Sequence, residues 1–352
     1  MKLRIGLVGT GTTVSIGASH VNGFKTEPRA EVTAIFNRTF KRSEDFIKTH
    51  NLNAIAYSSY DELLDNVDGV VICTPNDSHV DYAIRALQKD VAVLLEKPIS
   101  NSFDSAKQLM EVAKTAKAFN MIGYTNRFSN QVQALKKLVS EKMTRVFHVN
   151  ITYGGQRCAN PLTAYEWRMS KAYSGNGALI DYGSHAFDLI RYICNVNIEK
   201  VSCHLETIIN ERKDSSGISH IVDNDDIANI TAIGDRQTTC AIVCSRLGFS
   251  GCDMTILGDG GTIKANIKGD KIEYIEKNIN GGYTGKTEII SQSPTAPFYT
   301  FASQASAFVD GMLNIENPTV CSLQNGYKIE TILTACEKSN TLNQMIAISD
   351  IK

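Results

Sequence analysis

From Leu3 to Tyr124 the chain alternates short apolar runs with helical periods, and that alternation limits what it can fold into more than any other feature. Leu3 to Val8 reads as a strand ending in Gly9-Thr10-Gly11, followed by a helical pattern through His20, Val21 and Phe24. A second strand over 31–36 ends in Asn37-Arg38. Helices are then expected over 41–50, 60–66, 78–88 and 104–119, and strands over 54–57, 69–73, 91–95 and 121–124. Such β-α-β units with short links predict a parallel, doubly wound sheet with right-handed crossovers. Ligands meet these sheets at the carboxyl ends of the strands, where Gly9, Gly11, Asn37, Thr74, Pro75, Glu96 and Lys97 fall.

The period changes at Arg145. Phe147, Val149, Ile151 and Tyr153 alternate with His148, Asn150 and Thr152, the pattern of a half-buried strand. Further strands are expected over 201–209, 227–233, 238–245, 254–257 and 262–267, and exposed loops over 210–224 and 278–285. Two amphipathic helices close the chain, one striped by Phe301, Ala305, Phe308 and Met312, the other by Ile329, Ile332, Leu333 and Cys336. The predicted class is α/β: an N-terminal Rossmann doubly wound parallel sheet over 1–122, then a C-terminal α+β domain over 123–352 with a large, mainly antiparallel open sheet.

Composition narrows the partners. A length of 352 residues with 43% hydrophobic and 21% charged residues fits two globular domains. A net charge of −1 without a basic cluster argues against nucleic acid or an anionic membrane, leaving small molecules. No apolar run is long enough to span a bilayer and no signal-peptide pattern opens the chain, so a cytoplasmic location is expected. The nine scattered cysteines include no C-x-x-C pair and read as free thiols, with no metal site.

Two places carry chemistry. Lys97 follows an apolar strand and precedes Pro98, so its ammonium is held at the ligand edge, where it can stabilise a developing alkoxide. Within Gly175-Asn176-Gly177-Ala178-Leu179-Ile180-Asp181-Tyr182-Gly183-Ser184-His185, a helix starting near Gly183 would put Asp181 at its cap and His185 in its first turn. His185 there is a candidate general base. Alone, the pair reads more readily as a helix cap and a satisfied core histidine.

Together these residues resemble the Gfo/Idh/MocA oxidoreductases over essentially the whole chain. The motifs are Gly6-Leu7-Val8-Gly9-Thr10-Gly11, Cys73-Thr74-Pro75-Asn76 with His79, Glu96-Lys97-Pro98, Gly123-Tyr124-Thr125-Asn126-Arg127-Phe128, Trp167-Arg168, and the run from Gly175 to His185. The stretch from Pro318 to Ala335 resembles the family's closing helix. The resemblance implies an NAD- or NADP-dependent dehydrogenase acting on a sugar, sugar derivative or cyclic polyol, with Lys97, Asp181 and His185 catalytic. It implies cofactor contacts at Gly9, Gly11, Thr12, Thr13, Asn37, Arg38, Thr74, Pro75, Asn76, His79, Glu96 and Lys97, and substrate contacts at Arg127, Trp167 and Arg168. It further implies a cis Lys97-Pro98 peptide and a homodimer or homotetramer formed through the C-terminal sheet.

Three departures stand out. Five residues, Thr12 to Ile16, separate Gly11 from Gly17, which reads as a three-residue insertion in the phosphate loop. Asn176 replaces the middle glycine of a G-G-G-A. Asn37 stands where an NAD-preferring relative carries Asp, and Arg38 beside it can pair with a 2′-phosphate, so both cofactors stay open. Competing readings are a non-catalytic nucleotide or sugar sensor on the same fold and an NAD-recycling glycosidase.

Overall fold

The computed structural model describes residues 2–11, 16–278, 280, 283–293 and 297–352. The chain divides into two compact units, 1–128 with 296–328, and 129–295 with 329–352.

The first unit is built on six parallel strands, β1 (Leu3–Val8), β2 (Ala30–Phe36), β3 (Ile55–Tyr57), β4 (Gly69–Ile72), β5 (Ala92–Leu95) and β6 (Asn120–Ile122), in the order β3-β2-β1-β4-β5-β6. Every residue of β4 and β5 is buried, which is why these strands read as unbroken apolar runs rather than alternations. Ser59 and Ser102 accept from amides in the first turns of the Tyr60–Leu64 and Phe103–Ala113 helices, fixing where those helices start.

The expected boundary between 122 and 123 needs correction, because residues 296–328 return to the first unit. The Pro297–Met312 helix lays Phe308 against Phe24 and Phe119, at ring separations of 6.4 and 6.0 Å. Arg29 pairs with both Glu27 and Asp310, and the Ile122 amide donates to the Cys321 carbonyl. The apolar stripe on that helix was legible; which sheet it would serve was not.

The second unit holds β7 (Val146–Gly154), β8 (Ile198–Glu206), β9 (Glu211–Lys213), β10 (Ser219–Ile221), β11 (Ile227–Gly234), β12 (Thr239–Ser245), β13 (Gly251–Gly258), β14 (Gly261–Asn266), β15 (Lys271–Lys277), β16 (Tyr283–Ser291) and β17 (Ile346–Ala347). Nine of them form one sheet, β16-β15-β14-β13-β7-β12-β11-β8-β17, in which β7 and β12 run parallel and the other neighbours antiparallel. Alternate residues face a core that includes Val149, Ile151, Ile242 and Ile256.

Two expected loops differ. Residues 210–224 contain the β9–β10 hairpin, whose turn is tied by Asp214 accepting from the amides of Ser216 and Ile218. Part of 278–285 lies outside the described residues, and β16 begins at Tyr283. All nine cysteines are buried, and none of them forms a disulfide. Among the described residues no helix is long and apolar enough to cross a membrane, and no His, Cys, Asp or Glu group could hold a metal ion.

Candidate active site

At the end of β1 the Gly9 backbone takes a φ of 88°, and its amide donates to the Phe36 carbonyl at 2.9 Å. A Cβ there would lie 2.9 Å from the Cys73 carbonyl carbon and the Thr74 nitrogen, so only glycine lets these strand ends approach each other. Gly11 is also left-handed, with φ 73°. The expected contacts Thr12 and Thr13 lie outside the described residues. Gly17 is the second residue of the Ile16–Phe24 helix, and a Cβ on it would sit 3.1 Å from the Gly9 carbonyl oxygen. Despite the longer loop, Gly17 thus serves the close packing of helix on turn that a third glycine provides.

Around this turn, Asn37 donates to Thr10 Oγ1 at 2.9 Å and accepts from the Thr39 amide at 3.1 Å, while Arg38 is exposed. Pro75 precedes a single 3-10 turn, Asn76–Ser78, that carries the buried Asn76. Thr74 Oγ1 is buried with no hydrogen-bond partner. A glycine cradle that a Cβ would fill, and an uncommitted hydroxyl beside it at the carboxyl edge of a parallel sheet, fit a dinucleotide.

His79 and Glu96, both expected to touch cofactor, are turned inward. The ring nitrogens of His79 stand 2.8 Å from the Pro98 carbonyl oxygen and 2.9 Å from that of Thr74, so the ring joins the loops after β4 and β5. Burial holds its pKa below the ordinary histidine value. Glu96 Oε1 lies 2.7 Å from His20 Nε2, and Oε2 accepts from the Lys97 amide at 3.3 Å. Burial, with Glu96 adding to it, also pushes the Cys73 thiol well up. Lys97 itself is half-buried and its peptide to Pro98 is cis. His20 was readable only as part of a helical stripe; its pairing depends on a residue 76 positions away.

In the second unit the helix starts earlier than expected. Leu179–Gly183 is a π-helical turn running directly into Ser184–Cys194, so Asp181 lies inside the helical segment rather than at its cap, and His185 is beyond the first turn. Sequence periodicity missed this because Gly183 looked like a helix start, whereas it adopts φ −63° and ψ −37°. The capping is done by Asp225, whose carboxylate accepts from the Gly177 amide at 2.6 Å and the Leu179 amide at 2.8 Å. A helix dipole acts mainly on the first turn, so at His185 it is weak.

Beside the turn lies a buried polar group. Arg246 pairs with Asp226 at 2.9 Å and donates to Asn224 and to the Arg168 carbonyl. Burial raises the Asp225 pKa against the pull of its hydrogen bonds and of Arg246. The Tyr153 ring stands 5.9 Å from that of His185 and 5.3 Å from that of Tyr182. Burial lowers the pKa of Arg168, Arg157 adds to the fall, and Glu166 and Asp181 oppose it. Its guanidinium lies 4.3 Å over the Trp167 ring. Arg168 is thus within electrostatic reach of Asp181, and Trp167 stacks beneath its guanidinium. Arg127 belongs to the first unit instead, where it is buried and donates to the Thr319 and Val320 carbonyls, a structural tie.

Comparison with known proteins agrees with this geometry. Residues 3–124 match the model of an oxidoreductase family with an NAD-binding Rossmann fold, and residues 132–264 match the GFO/IDH/MocA C-terminal domain. The chain is 21% identical to glucose-6-phosphate 3-dehydrogenase of Bacillus subtilis over 99% of each chain, and 25% identical to inositol 2-dehydrogenase of Rhizobium meliloti over 81% of each. A levoglucosan dehydrogenase solved with NADH and L-sorbose superimposes with a TM-score of 0.86 at 21% identity, over 99% of each chain, which speaks to the fold. With matching models over both its parallel-sheet unit and its large mixed sheet, this chain belongs to the Gfo/Idh/MocA family of NAD-binding oxidoreductases.

Proposed function

We propose that the chain is an NAD(P)-dependent dehydrogenase that oxidises, reversibly, a secondary alcohol of a sugar, sugar derivative or cyclic polyol. The observation that carries this is the Asp181 and His185 pair, set on a clamped helical turn in a chain whose other unit ends in a glycine cradle for a dinucleotide. The relatives named for sugar and inositol oxidation support the substrate class. Gly9, Gly11 and Thr74 would hold the dinucleotide, which when bound would supply the hydride acceptor for alcohol oxidation.

His185 takes the hydroxyl proton, and Asp181 either orients the imidazole or binds a neighbouring substrate hydroxyl. Lys97 donates to a substrate oxygen as its charge develops. Arg168 and Trp167 present a cation and an aromatic face to the sugar. Arg38, exposed beside Asn37, leaves room for either cofactor. The outward residues of the large sheet, among them Phe147, Asn150, Asn229, Thr231, Thr239 and Val243, are exposed and suit pairing of two copies, a homodimer or a dimer of dimers that light scattering would detect. The expected location is cytoplasmic.

The test is turnover with NAD and NADP against polyols, aldoses and sugar phosphates, with Lys97→Ala and His185→Ala alongside. Reduced cofactor should accumulate with wild type and fall by about 10²-fold or more in His185→Ala. A protein that binds both dinucleotides and reduces neither with any of these substrates would sink the reading.

A further inference from the structure

We infer that Asp225 is the positioning residue that sets the acid/base arm, by fixing three successive amides at the start of the π turn. Its Oδ1 accepts from Gly177, its Oδ2 from Leu179, and its own carbonyl from Ala178 at 2.9 Å. The first amides of a helical segment have no partner within it, so whichever group takes them decides where the segment begins and how it is rotated about its axis. Here one buried residue takes all three. The Asp181 amide then bonds back to the Gly177 carbonyl at 2.9 Å, so the phase set at Gly177 passes directly to Asp181, and through the continuous helix to His185.

Asp225 cannot drift, because the surroundings hold it from two sides. Its neighbours Asn224 and Asp226 are both bound by Arg246, which is itself only 4% exposed. The open position at Gly177 closes the arrangement: a Cβ there would fall 2.0 Å from the Asp225 carbonyl oxygen and 2.7 Å from Arg246 Cζ. A π turn needs such outside support, since it is rarely stable by itself and occurs mostly as a single inserted turn at functional sites. Asp225 touches no reacting atom; it acts through the placement of Asp181 and His185, and the claim rests on His185 being the acid/base.

Two variants grade the effect. Asp225→Asn keeps one acceptor oxygen for one of the two amides, while Asp225→Ala keeps none. We expect kcat to fall about 10-fold in Asp225→Asn and about 100-fold in Asp225→Ala, with the KM for dinucleotide within twofold of wild type. In parallel the His185 ring resonances, assigned by difference against His185→Gln, should move, and the Gly177 and Leu179 amides, which the carboxylate holds, should exchange faster with solvent. Ile272→Ala, in the core of the large sheet, serves as the control for general loss of stability. The inference is overturned if kcat in the Asp225 variants falls no further than in this control at matched Tm loss, or if the His185 resonances stay in place. Should the wild type oxidise no alcohol at all, the dehydrogenase reading falls, while the resonances and amide exchange still decide the positioning claim.

Discussion

The turn at Gly9 and the turn at Gly177 both leave out a Cβ so that the main chain can come close to a neighbour, but the neighbours differ. Gly9 faces the backbone of Cys73 and Thr74 and is held at a left-handed φ. Gly177 faces the Asp225 carbonyl and the Arg246 guanidinium. One turn is made from main chain and local conformation, the other from two buried charged residues in the loops that flank β11 and β12. The first kind recurs wherever a strand, a glycine turn and a helix follow one another. The second depends on partners that only the tertiary fold supplies.

Alanine at each position should separate the two designs. Gly177→Ala drives a methyl into a buried carbonyl and a guanidinium that has no room to retreat, so a loss of more than about 3 kcal/mol is expected, together with a drop in kcat. Gly9→Ala combines left-handed strain with contacts at 2.9 Å and should cost about 2 kcal/mol, raising the KM for dinucleotide instead. Denaturation curves and steady-state kinetics on both variants test this. Equal losses, with the same kinetic parameter affected, would break the contrast.

Buried carboxylates extend the comparison to pH. In the second unit Glu330 is buried with its Oε2 unpartnered, and burial, with Glu337 adding, raises its pKa to about 8. The unfolded chain ionises this group near its ordinary value of 4.5 while the folded chain keeps it protonated. Its contribution to stability is therefore full below 4.5 and is lost as pH rises through about 8. Glu330→Gln should be more stable than wild type above about pH 8, by on the order of 3 kcal/mol, and lose that advantage in acid.

The first unit answers oppositely. The Arg29 guanidinium beside Glu27 lowers that carboxyl to about 2, so its contribution is present above 4.5 and is lost as pH falls toward 2. Glu27→Gln should cost about 1 to 2 kcal/mol at neutral pH, discounted because Arg29 is partly exposed, and little near pH 2. Denaturation midpoints of both variants across pH read the two signs directly. A matching trend in the two variants would refute the assignment of opposite environments.

How much was legible follows the same division. The six-stranded sheet could be read from apolar runs between helical periods, and its ligand edge from glycines and Thr74-Pro75, because each signal lies within a few residues of what it builds. Lys97, Asp181 and His185 stood out by motif. What could not be read is pairing at a distance: His20 with Glu96, Arg127 with the Val320 carbonyl, and Asp225 with Gly177 and Leu179. Glu96 and Arg127, like His79 with the Pro98 and Thr74 carbonyls, thus have partners within the protein that no local pattern announced. The distant pairs also move the start of the helical segment that carries Asp181 and His185 ahead of Gly183, since the Asp225 side chain, from the loop before β11, supplies the cap that the local sequence lacks. The return of residues 296–328 to the first unit belongs to the same class.

The smallest expected effect bears on the cofactor cradle. Thr74 Oγ1 is buried without a protein partner, whereas the Thr10 hydroxyl accepts from Asn37. If the Thr74 hydroxyl exists for the dinucleotide, Thr74→Val, which keeps the shape and removes the lone polar atom, should leave the free protein as stable as wild type or better by up to about 1 kcal/mol. The same change should weaken dinucleotide binding several-fold, since a bound phosphate or ribose would lose a hydrogen bond worth about 1 kcal/mol. Thr10→Val should do the reverse, lowering stability by about 1 kcal/mol through the orphaned Asn37 amide. Thermal denaturation without ligand and titration with NAD and NADP separate the two hydroxyls. If Thr74→Val binds both dinucleotides as tightly as wild type, the hydroxyl is a packing residue and the cradle rests on glycine geometry alone.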